Sequence, residues 1–260
     1  EDDRIIDEVN REVKIWAEEQ SREISQLRAN ANYRKEFLGN VSHELKTPIF
    51  NIQGYVLTLL DGAIDDPDIN RTYLEKTEKN INRLISIVDD LSTITGLESG
   101  ELSLNYSTFD IHKVVLEIFD MHQYLASQYK NQLIPPDKKL GPIYVYADKQ
   151  GIIQVLTNLV VNAIKYGNKK GKTQVILQPM KHTVHITVRD NGVGIPERHL
   201  SRIFERFYRV DKSRSRERGG TGLGLAIVKH VVEAHESTIQ VRSKEDVGTD
   251  FEFTLNRAPD

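Results

Sequence analysis

Cysteine is absent from all 260 residues, which excludes disulfides, thiolate metal sites and thiol catalysis and is compatible with a reducing compartment. No apolar run approaches the roughly 18 residues of a membrane-spanning helix, and the N-terminus carries no signal-peptide pattern. Excess charge of either sign is missing too. With 35 basic and 38 acidic residues the net charge is −3, so electrostatics calls for neither a nucleic acid nor a membrane surface. The 38% hydrophobic and 28% charged fractions are those of soluble globular protein, and the length can hold two domains. Charged residues already sit on helical spacing where the chain opens, so a piece of a longer protein is expected.

The first hundred residues read as helix. Ile6, Val9, Val13, Trp16 and Gln20 follow three-four spacing, and Ile24, Leu27, Ala31, Arg34, Leu38, Val41 and Leu45 resume it. Two successive fours at Trp16–Gln20–Ile24 form a stutter that locally unwinds a coiled coil, and polar Gln20 and Arg34 weaken its seam. An amphipathic helix packed on an upstream domain is the competing reading. The helix is predicted to end near Leu60, where Gly62 to Asp68 supply breakers. A second helix then carries Leu74, Thr77, Ile81, Leu84, Ile85, Val88 and Leu91 on one stripe. One hairpin cannot bury both stripes, so a homodimer forming a four-helix bundle is expected.

Within the first helix, Leu38, Val41, Leu45 and Ile52 mark an apolar stripe. At about 100° per residue His43 falls roughly 200° from Val41, towards solvent, with Thr47 one turn on and Glu44 beside it. Such an imidazole contributes little to packing and is suited to nucleophilic attack, its proton passing to the carboxylate. Pro48 removes the amide that would bond the Glu44 carbonyl, which predicts a bend next to the histidine. Asn40, Phe50 and Gly54 share the His43 face, an arrangement that suits a docking surface unless the bend turns Phe50 inward.

After the break at Gly96–Gly100 the pattern changes. Phe109 to Tyr129 reads as helix with Asp110 near its start, and Tyr144–Tyr146 as a short strand. Asp148 is placed to cap a helix over 149–166. Gln174–Met180 and Thr183–Arg189 alternate like paired strands. Leu223–His235 reads as helix, and Ile239–Val241 and Asp250–Thr254 as strands. Elements intermixed without regular strand-helix alternation predict an α/β two-layer sandwich. Domain boundaries are expected at 1–35 for an N-terminal coiled-coil helix, 36–98 for the helical hairpin and 99–260 for the sandwich.

Four segments of this second half suit one anion site. Asn158 and Asn162 stand one turn apart, followed by Lys165 and Tyr166. Amide oxygens on one helix face can ligate Mg²⁺, with phosphates completing its shell. Asp190-Asn191-Gly192-Val193-Gly194 follows a strand, and its glycines let backbone approach a ligand. Phe204–Arg209 precedes a basic stretch that includes Lys212 and reaches Arg218. Gly220, Thr221, Gly222, Leu223 and Gly224 then open a helix whose free amides and dipole favour phosphate.

The run Phe37–Pro48 around His43 resembles the phospho-acceptor box of sensor histidine kinases of two-component signalling. The four later segments, in this order, resemble the nucleotide boxes of their GHKL-type ATP-binding domain, a fold shared with gyrase, a heat-shock chaperone and mismatch-repair ATPases. The resemblance covers roughly residues 30–256. It implies ATP-dependent phosphorylation of His43, transfer to an aspartate on the receiver domain of a cognate response regulator, and Thr47-assisted dephosphorylation of that regulator. It also implies that Asp190 bonds the adenine amino group, that Asn162 with Asn158 binds Mg²⁺, and that Lys165 and Tyr166 flank phosphates and base. Gly192, Gly194, Gly220, Gly222 and Gly224 would line the nucleotide under a mobile lid at 195–219. The chain would be the cytoplasmic portion of a membrane-anchored bacterial sensor, touching membrane only through segments upstream.

Asn158 departs from the wider ATPase family, which carries a water-activating glutamate there. An amide is no general base, so ATP should be bound yet hydrolysed poorly. Glu236-Ser237 replaces the Gly-Gly that kinases often carry before the penultimate strand. Two other classes compete: a degenerate kinase acting as a nucleotide-binding scaffold, and a chaperone-like or DNA-topology ATPase, which Asn158 disfavours. A nucleic-acid surface over Arg202–Arg218 is disfavoured by the acids among its basic residues.

Overall fold

The computed structural model describes residues 2–98, 104–168, 170–211 and 220–258, with the side chains of 2–10, 29, 30, 33, 97 and 98 left out. The chain divides into two compact units, Glu1–Leu84 and Ile85–Asp260. No helix among the described residues is long and apolar enough to cross a membrane.

The first unit is a helical hairpin. Its first helix, α1, runs unbroken through Asp2–Leu60, favoured by abundant Glu, Lys, Arg, Ala and Leu. Pro48 lies inside it and is buried. Gly62, at φ 111°, turns the chain into a single 3₁₀ turn at Ala63–Asp65. The Asp66 carboxylate accepts the Asp68 N–H at 2.9 Å and the Asn70 amide donates to the Ile64 carbonyl at 3.1 Å, fixing the loop. Helix α2, Asn70–Glu98, then returns. The rings of Tyr55 and Tyr73 meet at 5.4 Å between centroids. Leu38, Leu57 and Leu74 remain 63%, 52% and 57% exposed, and Val13, Trp16, Ile24 and Leu27 of the N-terminal stripe are exposed as well.

In the second unit the last turns of α2 bring Ile94 into the core. Strand β1, Tyr106–Asp110, pairs antiparallel with β3, Tyr144–Asp148. Between them lie α3, Ile111–Gln128, and β2, Gln132–Ile134. Helix α4, Lys149–Tyr166, is followed by β4, Lys172–Pro179, and β5, Thr183–Asp190. A short α5, Glu197–Leu200, precedes α6, Gly224–Ala234, and the strands β6, Gln240–Lys244, and β7, Gly248–Asn256. The main sheet has the order β2-β4-β5-β7-β6, antiparallel except for β2 with β4.

Period-two burial explains the layering. Val175 and Leu177, Val184, Ile186 and Val188, and Phe251, Phe253 and Leu255 are buried on one face of the sheet. Helices α3, α4 and α6 cover that face, α4 contributing Ile152, Val155, Leu156, Leu159 and Ile164. The helical hairpin followed by a two-layer α/β sandwich is thus the architecture that the sequence pattern predicts.

Three readings need correction. Phe109 belongs to strand β1, opposite Val145, because the Asp110 carboxylate accepts the N–H groups of His112 and Ile143 at 3.0 Å each and starts the helix at Ile111, two residues later than expected. The three-residue β2 escaped notice because so short a parallel edge strand shows no alternation. Within the expected 195–219 lid, Ile203 is buried and the Phe204 ring packs edge-on against Phe251 at 6.3 Å, so these two belong to the packed domain, and 212–219 lie outside the described residues. Asp148 does cap α4, accepting from Gln150 and Gly151.

The turn at Glu236-Ser237 has a specific geometry. Glu236 adopts φ 57°, and the Ser237 N–H donates to the Val232 carbonyl at 3.1 Å, the helix-ending arrangement that ordinarily selects glycine. A side chain there costs about 1 kcal/mol. Glu236→Gly is expected to raise the unfolding free energy of this unit by about that amount, read as a shifted urea midpoint in far-UV circular dichroism with an unchanged slope. A lowered midpoint would show that the glutamate side chain contributes more than its backbone strain removes.

Candidate functional site

His43 is exposed on α1, as its phase requires. Thr47 is exposed beside it and donates its hydroxyl to the His43 carbonyl at 3.2 Å. Phe50 is 62% exposed, so passage of the helix through Pro48 does not turn that ring inward. Glu44 is held differently from a carboxylate simply adjacent to the imidazole. It is half-buried and accepts a hydrogen bond from the Arg83 guanidinium at 2.8 Å. Nothing local in the sequence marks Arg83, which is 39 residues away and meets Glu44 only through the hairpin.

The second unit organises a polar cradle around α4. Its apolar stripe faces the sheet, leaving Asn158, Asn162, Lys165 and Tyr166 half-buried along a neighbouring edge. Two glycines hold partners against that edge. A Cβ on Gly192 would lie 2.3 Å from the Tyr166 carbonyl oxygen, so only glycine lets this turn close on the end of α4. The Val193 N–H donates to the same carbonyl at 3.2 Å. At the other end, a Cβ on Gly224 would come within 3.2 Å of the Asn158 side-chain oxygen. The structure therefore brings Asp190 and Gly192 to one end of the α4 edge and the Gly220–Gly224 turn to the other.

Asp190 closes β5 at the bottom of this cradle. Its Oδ1 accepts the Gly192 N–H at 2.7 Å, and the Thr249 backbone donates to it from the paired strand. Burial nonetheless pushes its carboxyl up to about 6, the Asp250 carboxylate adding to the rise against those two hydrogen bonds. The Asn158 Nδ2 is also buried and has no hydrogen-bond partner among the described residues. An unsatisfied buried amide is unfavourable unless something completes it. An amide at this spot, with either of its ends turned inward, suits a phosphate oxygen or a hard cation.

Gly222, at φ 76°, packs its α-carbon face on Phe207, whose N–H donates to the Gly222 carbonyl at 2.8 Å. Lys212 lies outside the described residues. The sequence reading overlooked Ser243, Gly248 and Thr249. A Cβ on Gly248 would meet the Asp190 carbonyl oxygen at 2.1 Å, buried Thr249 shares a hydroxyl bond with Ser243 at 2.8 Å, and Ser243 accepts the Ile195 N–H at 2.8 Å. The adjacent Gly248-Thr249 pair before an alternating strand was the available signal.

Residues 33–100 match the family model for the His Kinase A phospho-acceptor domain, and residues 147–259 match that for histidine kinase-, DNA gyrase B- and HSP90-like ATPases. The chain belongs to the sensor histidine kinases of two-component systems. It is 37% identical over 224 residues to the sensor protein kinase WalK of Staphylococcus aureus, covering 85% of this chain and 53% of that relative. For the WalK of S. aureus strain JH9 the covered share of the relative is 36%, so the chain spans about half the length, or less, of these curated relatives. Among solved structures, Acinetobacter baumannii histidine kinase AdeS superposes with a TM-score of 0.63 at 28% identity, over 84% of this chain and 98% of that one. The catalytic domain of histidine kinase ThkA gives 0.51 at 27% identity, over 59% and 96%. The matched part of the second unit belongs to an ATP-binding domain family.

Half-buried Asp190 gives the second unit a defined pH response. Its folded value of about 6 lies above the ordinary 3.8, so the native state binds the proton more tightly than the unfolded chain. The associated stability is present below about pH 4 and is lost as pH rises through about 6. Asp190→Asn is therefore expected to stabilise the second unit at pH 7.5 by on the order of 1–2 kcal/mol, with the gain shrinking towards pH 4. Parallel denaturation curves at both pH values check this; equal effects at the two would show that the charge is not responsible.

Proposed function

We propose that the chain is an ATP-dependent autokinase that phosphorylates His43 and passes the phosphoryl group to an aspartate on a response-regulator receiver domain. One observation carries the reading. The α4 position facing the glycine turn of α6 is the amide Asn158 and not a carboxylate, so the site holds ATP without a base to activate water. The γ-phosphoryl group then needs a nucleophile from elsewhere, and exposed His43 has the chemistry for it. An imidazole nitrogen attacks the γ-phosphorus, the bond to the β-phosphate oxygen breaks to release ADP, and the ring proton passes to Glu44. One of its oxygens, Oε2, is engaged by Arg83.

In this reading the Asp190 carboxylate accepts the adenine amino proton, with Thr249 beneath it. Asn162 and Asn158 would hold Mg²⁺, which when bound neutralises phosphate charge. Lys165 and Tyr166 flank phosphates and base, and Gly192, Gly194, Gly220, Thr221, Gly222, Leu223 and Gly224 admit the backbone to the nucleotide. We assign residues 1–35 to a signalling coiled coil, 36–98 to dimerisation and phosphotransfer, and 99–260 to catalysis. The exposed Leu38, Leu57 and Leu74 favour a homodimeric four-helix bundle, so the chain should sediment at twice its 29.8 kDa mass. The phosphatase role of Thr47 requires its hydroxyl to leave the His43 carbonyl and orient a water.

With Mg²⁺-ATP the protein is expected to form an acid-labile, base-stable phosphoramidate. His43→Gln should abolish labelling and leave ATP affinity intact, whereas Asp190→Asn should weaken ATP binding by about tenfold or more. Labelling that persists in His43→Gln would sink the assignment. Thr47→Ala should lose regulator dephosphorylation and keep most autophosphorylation; an equal loss of both would reduce Thr47 to a helix-shaping role.

A further inference from the structure

Thr221 sits in the glycine turn that opens α6, and its hydroxyl is already engaged. It donates to Asp90 Oδ2 at 2.8 Å and accepts the Leu223 N–H at 3.2 Å. Asp90 lies on the part of α2 that belongs to the second unit, half-buried and next to Asp89. Burial raises its carboxyl above the ordinary range, the Thr221 bond opposing the rise and Asp89 adding to it. A carboxylate is thus desolvated against the turn whose free amides and helix dipole suit an anion, and the residue before α6, Leu223, offers no side-chain cap of its own. Anchoring the helix end does not require that charge. Ile94 is fully buried in the core and Gln154 reaches Thr93 at 3.4 Å, so apolar burial and a neutral hydrogen bond already hold this end of α2.

We propose that Asp90 is a positioning residue that competes with nucleotide phosphate for the Thr221 hydroxyl, latching the glycine turn to α2 until nucleotide displaces it. This rests on the reading of the second unit as the ATP site. The carboxylate and a phosphate both accept a hydrogen bond from the one hydroxyl proton, and two anions at that spot repel. Entry of phosphates therefore releases Asp90 from the turn, so that occupancy of the site is registered at the end of α2. Adenosine, which lacks phosphates, should leave the latch closed.

The test is calorimetric titration of the full chain with ATP, ADP and adenosine, comparing the parent with Asp90→Ala and Asp90→Asn. Asp90→Ala is expected to tighten ATP and ADP by about five- to tenfold, the scale of one hydrogen bond to a charged group, and to leave adenosine within about twofold. Asp90→Asn keeps an acceptor oxygen without the charge and should tighten ATP by a smaller factor; it decides the matter if the alanine variant fails to fold. Unchanged or weakened ATP affinity, or an equal change for all three ligands, overturns the latch. A parent protein that binds adenosine and ATP but gives either of those results leaves the ATP-site reading standing, whereas a parent that binds neither removes that reading and the latch with it.

Discussion

Helix α4 buries one apolar stripe, from Ile152 to Ile164, against the sheet, and that burial dictates where its polar residues stand. At 3.6 residues per turn the positions beside the stripe are Asn158, Asn162, Lys165 and Tyr166. Gly192 can meet the Tyr166 carbonyl, and Gly224 can meet the Asn158 amide, only because the helix cannot rotate without exposing core. Each of those glycines stands where a Cβ would press on α4, and each connects α4 to an element from a distant part of the sequence. The polar cradle is accordingly a product of core packing more than of loop design, and its precision follows from the rigidity of a close-packed interior.

The same rigidity forces polar groups into positions that stability alone would not choose. Asp190 is ionised at neutral pH despite surroundings that favour its protonated form, and the Asn158 amide is buried with an unmatched end. Both groups are costly where nothing completes them, and in the proposed reading an adenine amino group or a phosphate would complete them. Strain of this kind belongs at a binding site, where ligand contacts relieve it and convert part of the relief into affinity. Glu236, with its left-handed backbone at the end of α6, is different: no ligand contact is in view there, and its strain is only a missing glycine.

Periodic features were readable from the sequence. The hairpin, its break at Gly62, the alternating strands β4 and β5 and the Asp148 cap all rest on patterns confined to a few neighbouring residues, which is the range over which local propensity speaks. Asp190, Asn158, Asn162 and the glycine turn are each ordinary alone and could be picked out only because the four segments, in this order, resemble the nucleotide boxes of histidine kinases. Pairings across long separations could not. Arg83 reaches Glu44 from another helix, Asp90 reaches Thr221 from the far side of the second unit's sequence, and Thr249 supports Asp190 through strand register. Phe109 was misplaced for a related reason, since an apolar residue just before an N-cap fits a strand end as well as a helix start.

Two of those long-range partners, and one local one, share a property: each occupies a group that the proposed chemistry needs. Arg83 holds the carboxylate that would take the proton from His43, the His43 carbonyl holds the Thr47 hydroxyl, and Asp90 holds the Thr221 hydroxyl. None of these bonds is strong enough to be permanent, because a hydrogen bond to a charged group contributes about 1.5–3 kcal/mol net and the Thr47 bond, to a neutral carbonyl, about 1 kcal/mol. Binding of a nucleotide releases several times that amount even at micromolar affinity. Under the proposed chemistry each of these bonds must exchange before the atom it holds can act. The residues that select when the chemistry starts are therefore to be sought among the partners of the motif residues, and only secondarily among the motif residues themselves.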